Sequence, residues 1–426
     1  MRRCLINDKV ARLGDVSAIP IVSISSSGAP HAVLDRAGPL DIPEVLRRYR
    51  TDAFVFASPI VTLIAPDVAW STIDPASTTR TAQVRALFAQ AAAEGMPSAL
   101  IVGAVPFDAQ APARLGLARD VLRADVLTRA PRTGDPRKPS DRAQVLASTP
   151  VPTPATYEAQ VVAALQRFET TALDKVVLAR TLTLRLDVPL DLHGLLANLL
   201  TRNVHGYTYA VPLDHDAVFL GATPELLVRR SGNRVMLNPL AGSAARCLDP
   251  DEDQHAARTL IASVKDLREH AIMIDAIAQA LRPLCRTLQV PSQPSLTATD
   301  ALWHLSTTIE GELADPTTTS LDLAYALHPT PAVGGFPTAL AKTAIAELET
   351  FDRGLFAGFV GWMDATGDGE WAVSLRCALC EPHQATLYAG AGIVPGSVPA
   401  AETAETQTKF RTMLNALGLE RALSAD

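Results

Sequence analysis

The stretch ALDKVVLARTLTLRL (Ala172–Leu186) reads as a buried strand with an ionisable residue at its start. Its aliphatic and β-branched residues favour a strand, and the apolar run from Val176 predicts burial. An ammonium group is costly to bury, so Lys175 directly before that run needs an explanation. Taken alone, Lys175 either faces outward on a half-exposed strand or is desolvated, with a lowered pKa that suits a base.

Strand-like runs and helical segments alternate on both sides of this stretch. Further strands are predicted for FVFASPIVTLIAP, SALIVGAVPF, GYTYAVPL, DAVFLGA, RVMLNPLAG, FAGFVGWMD, EWAVSLRCAL and ATLYAGAGIV. Helices are predicted for TAQVRALFAQAAAEG (Thr81–Gly95), TYEAQVVAALQRFET, one long segment from Asp253 to Leu284, and AAETAETQTKFRTMLNALGL. The pattern predicts an α/β or α+β chain.

One segment, rich in Pro, Arg and Ser, has neither helical nor strand periodicity. It begins at Thr128 and predicts an exposed connection over about residues 128–155. This connection separates an N-terminal part, about 1–127, from a C-terminal part, about 156–424.

Composition excludes several classes of protein. The chain has 426 residues, a net charge of -7 and five scattered cysteines. The acidic balance argues against a nucleic-acid-binding protein, which usually has a basic face. The longest apolar stretches are about half a membrane span, and charged residues interrupt any signal-peptide segment. Reduced thiols and a cytoplasmic location are expected, with Cys377 and Cys380 read as structural residues of a strand.

Two predicted helices carry paired acids that share a helix face. Asp266 and Glu269 are three residues apart, as are Glu402 and Glu405, and Lys409 follows one turn later. These are either two solvated faces or, if the faces meet, an oxygen-rich pocket that suits Mg²⁺.

Glu225 stands in the apolar segment GATPELLVRR. It either faces outward or is a buried carboxyl with a raised pKa, able to donate a proton. The small-residue segments PLAGSAA, HPTPAVGGFP and YAGAGIVPGS are tight turns or places where backbone approaches a ligand. None has the pattern of a nucleotide-binding loop.

Eight segments, in this order, resemble the chorismate-utilising enzymes. They are LDKVVLAR, GATPELLVRR, NPLAGSAAR, SVKDLREH, LWHLSTTIEG, LHPTPAVGGFP, FDRGLFAGFVGWMDATGDGEWAVSLRCA and YAGAGIVPGSVPAAETAETQTK. The resemblance is dense from about Thr171 to Leu417 and weaker in the N-terminal part. It implies one large α/β (α+β) chorismate-binding domain over 1–426, with two extended antiparallel sheets flanked by helices, and Mg²⁺ as cofactor.

The resemblance also implies roles for individual residues. Glu269 and Glu405 match the acids that bind the metal directly, and Asp266 and Glu402 match those that support it through water. Lys175 matches the base that activates water, and Glu225 the acid that protonates the departing hydroxyl. The residues matching substrate-binding positions are Ser243, His304, Arg376, Gly392 and Lys409. His328 lies in a matching loop but receives no catalytic role.

The residues also narrow the choice within the family. Members that add ammonia have an amide where Lys175 stands, because ammonia needs no base. Members that make aminodeoxychorismate carry a lysine nucleophile where this chain has Ala241. Isochorismate synthase and salicylate synthase remain, and HPTPAVGGFP, the FDRGLFAGFVGW run and GDGEW favour the former. A non-catalytic relative is a third reading, but it should have lost one of the matching acids or the lysine.

The expected reaction adds water at ring C2 of chorismate and expels the C4 hydroxyl. Base and acid must then have pKa values shifted in opposite directions. The product would feed siderophore, menaquinone or related biosynthesis. The resemblance further implies a monomer without a glutaminase subunit.

Overall fold

The structure is a computed structural model, and it describes residues 40–74, 76–124, 127, 143–299 and 302–419. The helices in these ranges are α1 (Ile42–Arg48), α2 (Ser77–Ala93), α3 (Pro154–Thr170), α4 (Leu192–Arg202), α5 (Pro250–Ala262), α6 (Val264–Leu281), α7 (Ser320–Leu327), α8 (Thr338–Leu348) and α9 (Pro399–Leu417). None of these helices combines the length and the apolar character that crossing a bilayer requires.

Twenty strands lie within the same ranges. The first ten are β1 (Phe54–Ala57), β2 (Thr62–Ile73), β3 (Leu100–Val105), β4 (Ala113–Ala124), β5 (Val145–Val151), β6 (Lys175–Leu186), β7 (Tyr207–Pro212), β8 (Val218–Thr223), β9 (Leu226–Ser231) and β10 (Arg234–Asn238). The others are β11 (Leu240–Ala245), β12 (Cys285–Gln289), β13 (Ser295–Ala298), β14 (Leu302–Ser306), β15 (Ile309–Leu313), β16 (Gly335–Phe336), β17 (Phe359–Asp364), β18 (Gly369–Val373), β19 (Cys377–Glu381) and β20 (Gln384–Ile393).

Two antiparallel sheets result, so the predicted fold class is confirmed. The large sheet has 17 strands and the small one, β11-β14-β13, has three. In the large sheet the pairings run β12-β15-β10-β9-β18-β17-β3-β4-β2-β1-β7-β8-β19-β20-β6, and both β5 and β16 pair with the far edge of β6. Strands from the N-terminal part pair with strands from the C-terminal part, so the two parts share one sheet.

The strand that begins at Lys175 lies next to the edge of this sheet, between β20 on one side and β5 and β16 on the other. β6 begins at Lys175 and ends at Leu186, and β20 pairs with it over ten residues. Apolar residues of β6, among them Leu178 and Leu184, are completely buried under helices that include α3 and α9. Burial of this apolar surface is the main stabilising contribution to such a layered fold.

The long helix predicted from Asp253 to Leu284 is wrong, because the chain forms two helices there. Ser263 ends α5 and begins α6, with extended backbone at ψ 114°. Its hydroxyl accepts a hydrogen bond from the Asp266 N–H at 3.2 Å, which caps the new N-terminus. α6 ends at Leu281, two residues before Pro283 and three residues before the predicted end at Leu284.

The strand predicted for EWAVSLRCAL is also interrupted. β18 ends at Val373 and β19 begins at Cys377, while Arg376 between them has a left-handed φ of 48°. A side chain in this conformation is strained, and such strain occurs often at functional sites.

The exposed connection predicted for about 128–155 is partly a strand. Residues 128–142 lie outside the described ranges, but Val145–Val151 forms β5 along β6. Its side chains remain mostly exposed, which explains why the sequence shows no apolar alternation there.

Candidate active site

A single cavity collects most of the residues that the sequence singled out. Its lining includes Glu225, Ser243, Asp266, Glu269, His304, Arg376, Gly392, Glu405 and Lys409. Lys175 and Glu402 are not part of the lining, but each contacts a residue that is. Segments more than 200 residues apart in sequence therefore meet in one place, on β6, β11, β14, β20, α6, α9 and the loops at Glu225 and Arg376.

Lys175 is fully buried at the first position of β6. Its Nζ lies 2.8 Å from Glu269 Oε1, in an ion pair whose orientation does not satisfy a hydrogen bond. Gly392 makes room for this pair, because a Cβ there would lie 2.5 Å from Glu269 Oε1 and 3.1 Å from Lys175 Cε. Close packing therefore requires a glycine at position 392.

Glu225 lies in the two-residue loop between β8 and β9 and is only 3% exposed. Burial raises the pKa of its carboxyl to about 8, against the opposing influence of the Leu240 N–H and of Lys175, Arg376 and Lys409. A carboxyl that holds its proton near neutral pH has the property required of a general acid.

Three of the four paired acids, Asp266, Glu269 and Glu405, line the cavity, whereas Glu402 lies outside its lining. Asp266 receives a hydrogen bond from the Ser263 hydroxyl, Glu402 is 3.2 Å from Lys265 Nζ, and Glu405 pairs with Lys409. Burial first, then neighbouring carboxylates, raise the pKa of Asp266 and of Glu402. The pKa of Glu405 is lowered because Lys409, Lys265 and Arg376 outweigh its burial.

These acids are compatible with a Mg²⁺ site. Across the described part of the chain, no group of three His, Cys, Asp or Glu side chains converges as ready-made metal ligands. Mg²⁺ does not need one, because it commonly takes one or two carboxylates and completes its shell with water and substrate. Glu269 and Glu405 border the same cavity, and a cation would relieve the repulsion that the nearby acids exert on one another.

Two positively charged side chains, Arg376 and Lys409, also border the cavity. Arg376 is held by its left-handed backbone, and its carbonyl accepts the Ala222 N–H at 3.1 Å. Lys409 donates to the Gly390 carbonyl at 2.8 Å as well as to Glu405. Both cations are available to an anionic ligand within the cavity.

Ser243 and His304 face each other on the small sheet, as register partners of β11 and β14. His304 is 5% exposed, and its Nε2 is buried without a hydrogen-bond partner among the described residues. Burial, followed by Arg376 and Lys409, holds the pKa of His304 well below its usual value. A neutral imidazole at this position can exchange a hydrogen bond with a ligand.

Sequence reasoning missed several residues around the cavity. Lys265 is the ion-pair partner of Glu402, and His270 bonds the Ala241 carbonyl at 3.1 Å and Thr307 Oγ1 at 2.7 Å. In the segment SVKDLREH, Lys265 directly precedes Asp266 and His270 directly follows Glu269. Their position next to the predicted acids could have identified them as candidates. Phe356 and Tyr388 stack with ring centroids 5.2 Å apart and form an aromatic wall, which no periodicity indicates.

His328 does not border the cavity. Its Nε2 lies 3.0 Å from the Phe107 carbonyl, and burial lowers its pKa to about 4. The side chain packs edge-on against Phe107 and Phe359. These contacts give His328 a structural role, which agrees with the absence of any catalytic assignment.

Over most of its length, the chain is similar to known enzymes that bind chorismate. The family model described as chorismate binding enzyme matches residues 117–418. Isochorismate synthase DhbC of Bacillus subtilis strain 168 is 45% identical over 389 residues, covering 88% of this chain and 96% of that protein. Isochorismate synthase EntC of Escherichia coli K12 is 42% identical over 339 residues, covering 79% and 86%. The crystal structure of DhbC from Bacillus anthracis superimposes with a TM-score of 0.83 at 42% identity, covering 89% of this chain and all of that one.

Proposed function

Because this chain belongs to the family of chorismate binding enzymes, we propose that it is an isochorismate synthase. The reaction converts chorismate into isochorismate by adding water at ring C2 and expelling the C4 hydroxyl. One observation carries the assignment within the family. Glu225, a carboxyl with a pKa of about 8, borders the same cavity as Glu269, which is paired with the buried Lys175.

We assign the acid and the base to these two groups. Lys175 takes a proton from water as the water oxygen bonds to C2. The two ring double bonds shift, and the bond between C4 and its oxygen breaks. Glu225, protonated beforehand, donates its proton to that oxygen, which leaves as water. A lysine at position 175 favours water over ammonia as the nucleophile, because ammonia needs no base.

Glu269 and Glu405 would hold Mg²⁺ directly, with Asp266 and Glu402 in support. When bound, the ion would neutralise and orient the ring carboxylate of the substrate. A supporting role for Glu402 fits its position, because it is 2% exposed and outside the cavity lining, whereas Glu405 borders the cavity.

Substrate binding follows from the remaining side chains of the cavity. Chorismate carries two carboxylates, and Arg376 and Lys409 are the cations placed to meet them. Gly392 leaves backbone accessible, and Ser243 and His304 supply neutral polar groups. The ring would lie against Phe356 and Tyr388, which exclude water from that side.

We further propose that the chain acts as a monomer in the cytoplasm without a glutaminase subunit. Every residue assigned above comes from one chain, and water as nucleophile makes an ammonia source unnecessary. Cys247, Cys285, Cys377 and Cys380 are free thiols, as in a reducing compartment. The product would enter siderophore, menaquinone or related biosynthesis.

The test is product analysis after incubating the purified protein with chorismate and Mg²⁺. A reversible mixture of chorismate and isochorismate without pyruvate is expected. Salicylate with stoichiometric pyruvate would replace the proposal by salicylate synthase. No conversion, with chorismate still bound, would indicate a non-catalytic relative.

A further inference from the structure

The edge of β6 beyond Lys175 lacks a strand partner for a short distance. β16 pairs only with Lys175 and Val176, and β5 begins its pairing at Thr181. The Val177 N–H still reaches the Gly334 carbonyl at 2.9 Å. The Val177 carbonyl and the Ala179 N–H then face a gap in the ladder, where buried backbone groups must find other partners.

A buried ion pair fills this gap. The Glu349 carboxylate accepts the Ala179 N–H at 2.8 Å, and Arg353 Nη2 donates to the Val177 carbonyl at 2.7 Å. Glu349 also accepts from Arg353 Nε at 2.8 Å, and the two side chains are 2% and 3% exposed. Two side chains therefore make the hydrogen bonds that a neighbouring strand would make.

The same guanidinium also reaches a second segment of the cavity lining. Arg353 Nη1 donates to the Val333 carbonyl at 2.8 Å, and Val333 and Val177 both line the cavity. The Phe107 ring lies against the guanidinium, 4.3 Å from its carbon. One planar group thus ties the strand that carries Lys175 to the loop that carries Val333.

Stability alone does not explain this arrangement. Buried ion pairs are often no more stable than apolar replacements, because both charges lose hydration. What such a pair does provide is a fixed geometry. Geometry matters near a reacting centre, where a misplacement of about 1 Å can cost roughly a hundredfold in rate.

We propose that Glu349 and Arg353 are positioning residues that fix Lys175 relative to the cavity wall at Val333. This role rests on the proposed function, because it acts through the base. Lys175 precedes Val177 by two residues on the same strand, so a shift of the strand at Val177 is transmitted to the lysine. Neither Glu349 nor Arg353 borders the cavity.

Arg353→Lys is the informative variant, because one ammonium cannot span Glu349 and both carbonyls. Arg230→Lys is a matched control: Arg230 is also buried, donates to the Thr366 carbonyl at 2.6 Å and the Pro316 carbonyl at 2.8 Å, lies 3.5 Å from Asp368, and is away from the cavity. Both variants should lose thermal stability. Only Arg353→Lys should lower kcat for isochorismate formation, by about ten-fold or more, with KM within about two-fold.

Amide hydrogen exchange at Ala179 provides a readout independent of catalysis. We expect faster exchange at Ala179 in Arg353→Lys and unchanged exchange in Arg230→Lys. If Arg353→Lys does not fold, Glu349→Gln is measured in its place, since it keeps an acceptor for Ala179 but removes the charge.

Two results would overturn the proposal: kcat unchanged in a folded variant, or an equal loss of kcat in Arg230→Lys. A wild-type protein that makes no isochorismate would instead refute the proposed function. The exchange at Ala179 would then decide whether the pair still braces β6.

Discussion

Lys175 and Glu269 form an ion pair, with Nζ 2.8 Å from Oε1, that joins the first residue of β6 to the second turn of α6. Their side chains are 1% and 12% exposed, so water screens the interaction weakly. The proposed base and a proposed metal ligand are thus in direct contact. A change in either side chain is expected to alter the charge and position of the other.

Lys175→Gln should abolish the addition of water while the fold is retained. The amide keeps a polar group of similar length but cannot accept a proton from water, so kcat should fall by at least about a hundredfold. The measurement is the initial rate of isochorismate formation, with circular dichroism to verify folding.

Lys342→Gln is the control for that change, because Lys342 is a partly exposed lysine of α8 outside the cavity. Its activity should match the wild type. A Lys175→Gln protein that retained most of its isochorismate formation would remove Lys175 from the role of base.

Glu225→Gln should remove the alkaline decline of kcat/KM from the pH profile. If Glu225 is the general acid, its protonated form is required, so kcat/KM of the wild type should fall as pH rises through about 8, the pKa that burial gives this carboxyl. The glutamine variant cannot donate a proton and should lose about a hundredfold or more in rate at pH 7. Its residual rate should not show that alkaline decline.

The control for Glu225 is Glu310→Gln, an exposed carboxyl of β15. Its pH profile should be that of the wild type. An alkaline decline that persists unchanged in Glu225→Gln would assign the titration to another group.

Gly392→Ala should lower activity through a steric clash, without removing any ionisable group. The added methyl would lie 2.5 Å from Glu269 Oε1, so the ion pair with Lys175 must move. Activity should fall at least about ten-fold, because displacement of catalytic groups is costly. Gly334→Ala is the comparison, since its nearest neighbour would be at an ordinary 3.4 Å. Equal activity in the two variants would show that the packing at Gly392 is not critical.

Glu405→Ala should change the dependence on Mg²⁺. Loss of one of the two proposed direct ligands should raise the Mg²⁺ concentration needed for half-maximal rate, and should reduce the rise in Tm that Mg²⁺ produces. Glu347→Ala removes a carboxyl that is 57% exposed on α8 and should leave both quantities unchanged. An unaltered Mg²⁺ titration in Glu405→Ala would place the metal elsewhere.

Much of the site could be predicted from local pattern. β6 begins at Lys175 because β-branched and aliphatic residues follow it without interruption, and the paired acids share helix faces because of their three-residue spacing. The roles proposed for these residues rest on the resemblance of eight ordered segments. Spacing alone left open whether the acids of α6 and α9 face water or each other.

The rest depends on tertiary contacts that local pattern does not encode. Ser263 divides a continuous helical pattern because its hydroxyl caps the new N-terminus, which brings Asp266 to the cavity. Arg376 adopts a left-handed backbone conformation that its residue type disfavours. The sequence pattern therefore predicts one continuous strand across this residue, where the structure has two. Lys265 meets Glu402 across 137 positions of sequence, a pairing that only the fold creates.

The most direct test of the central claim is the origin of the new hydroxyl oxygen. Chorismate is converted with Mg²⁺ in water enriched in ¹⁸O, and isochorismate from the initial phase is examined by mass spectrometry. If Lys175 activates water for attack at C2, the product carries one ¹⁸O in its ring hydroxyl, and Lys175→Gln yields no labelled product. Isochorismate that retains only the original oxygen would mean that the hydroxyl migrates within the substrate, and would contradict this account.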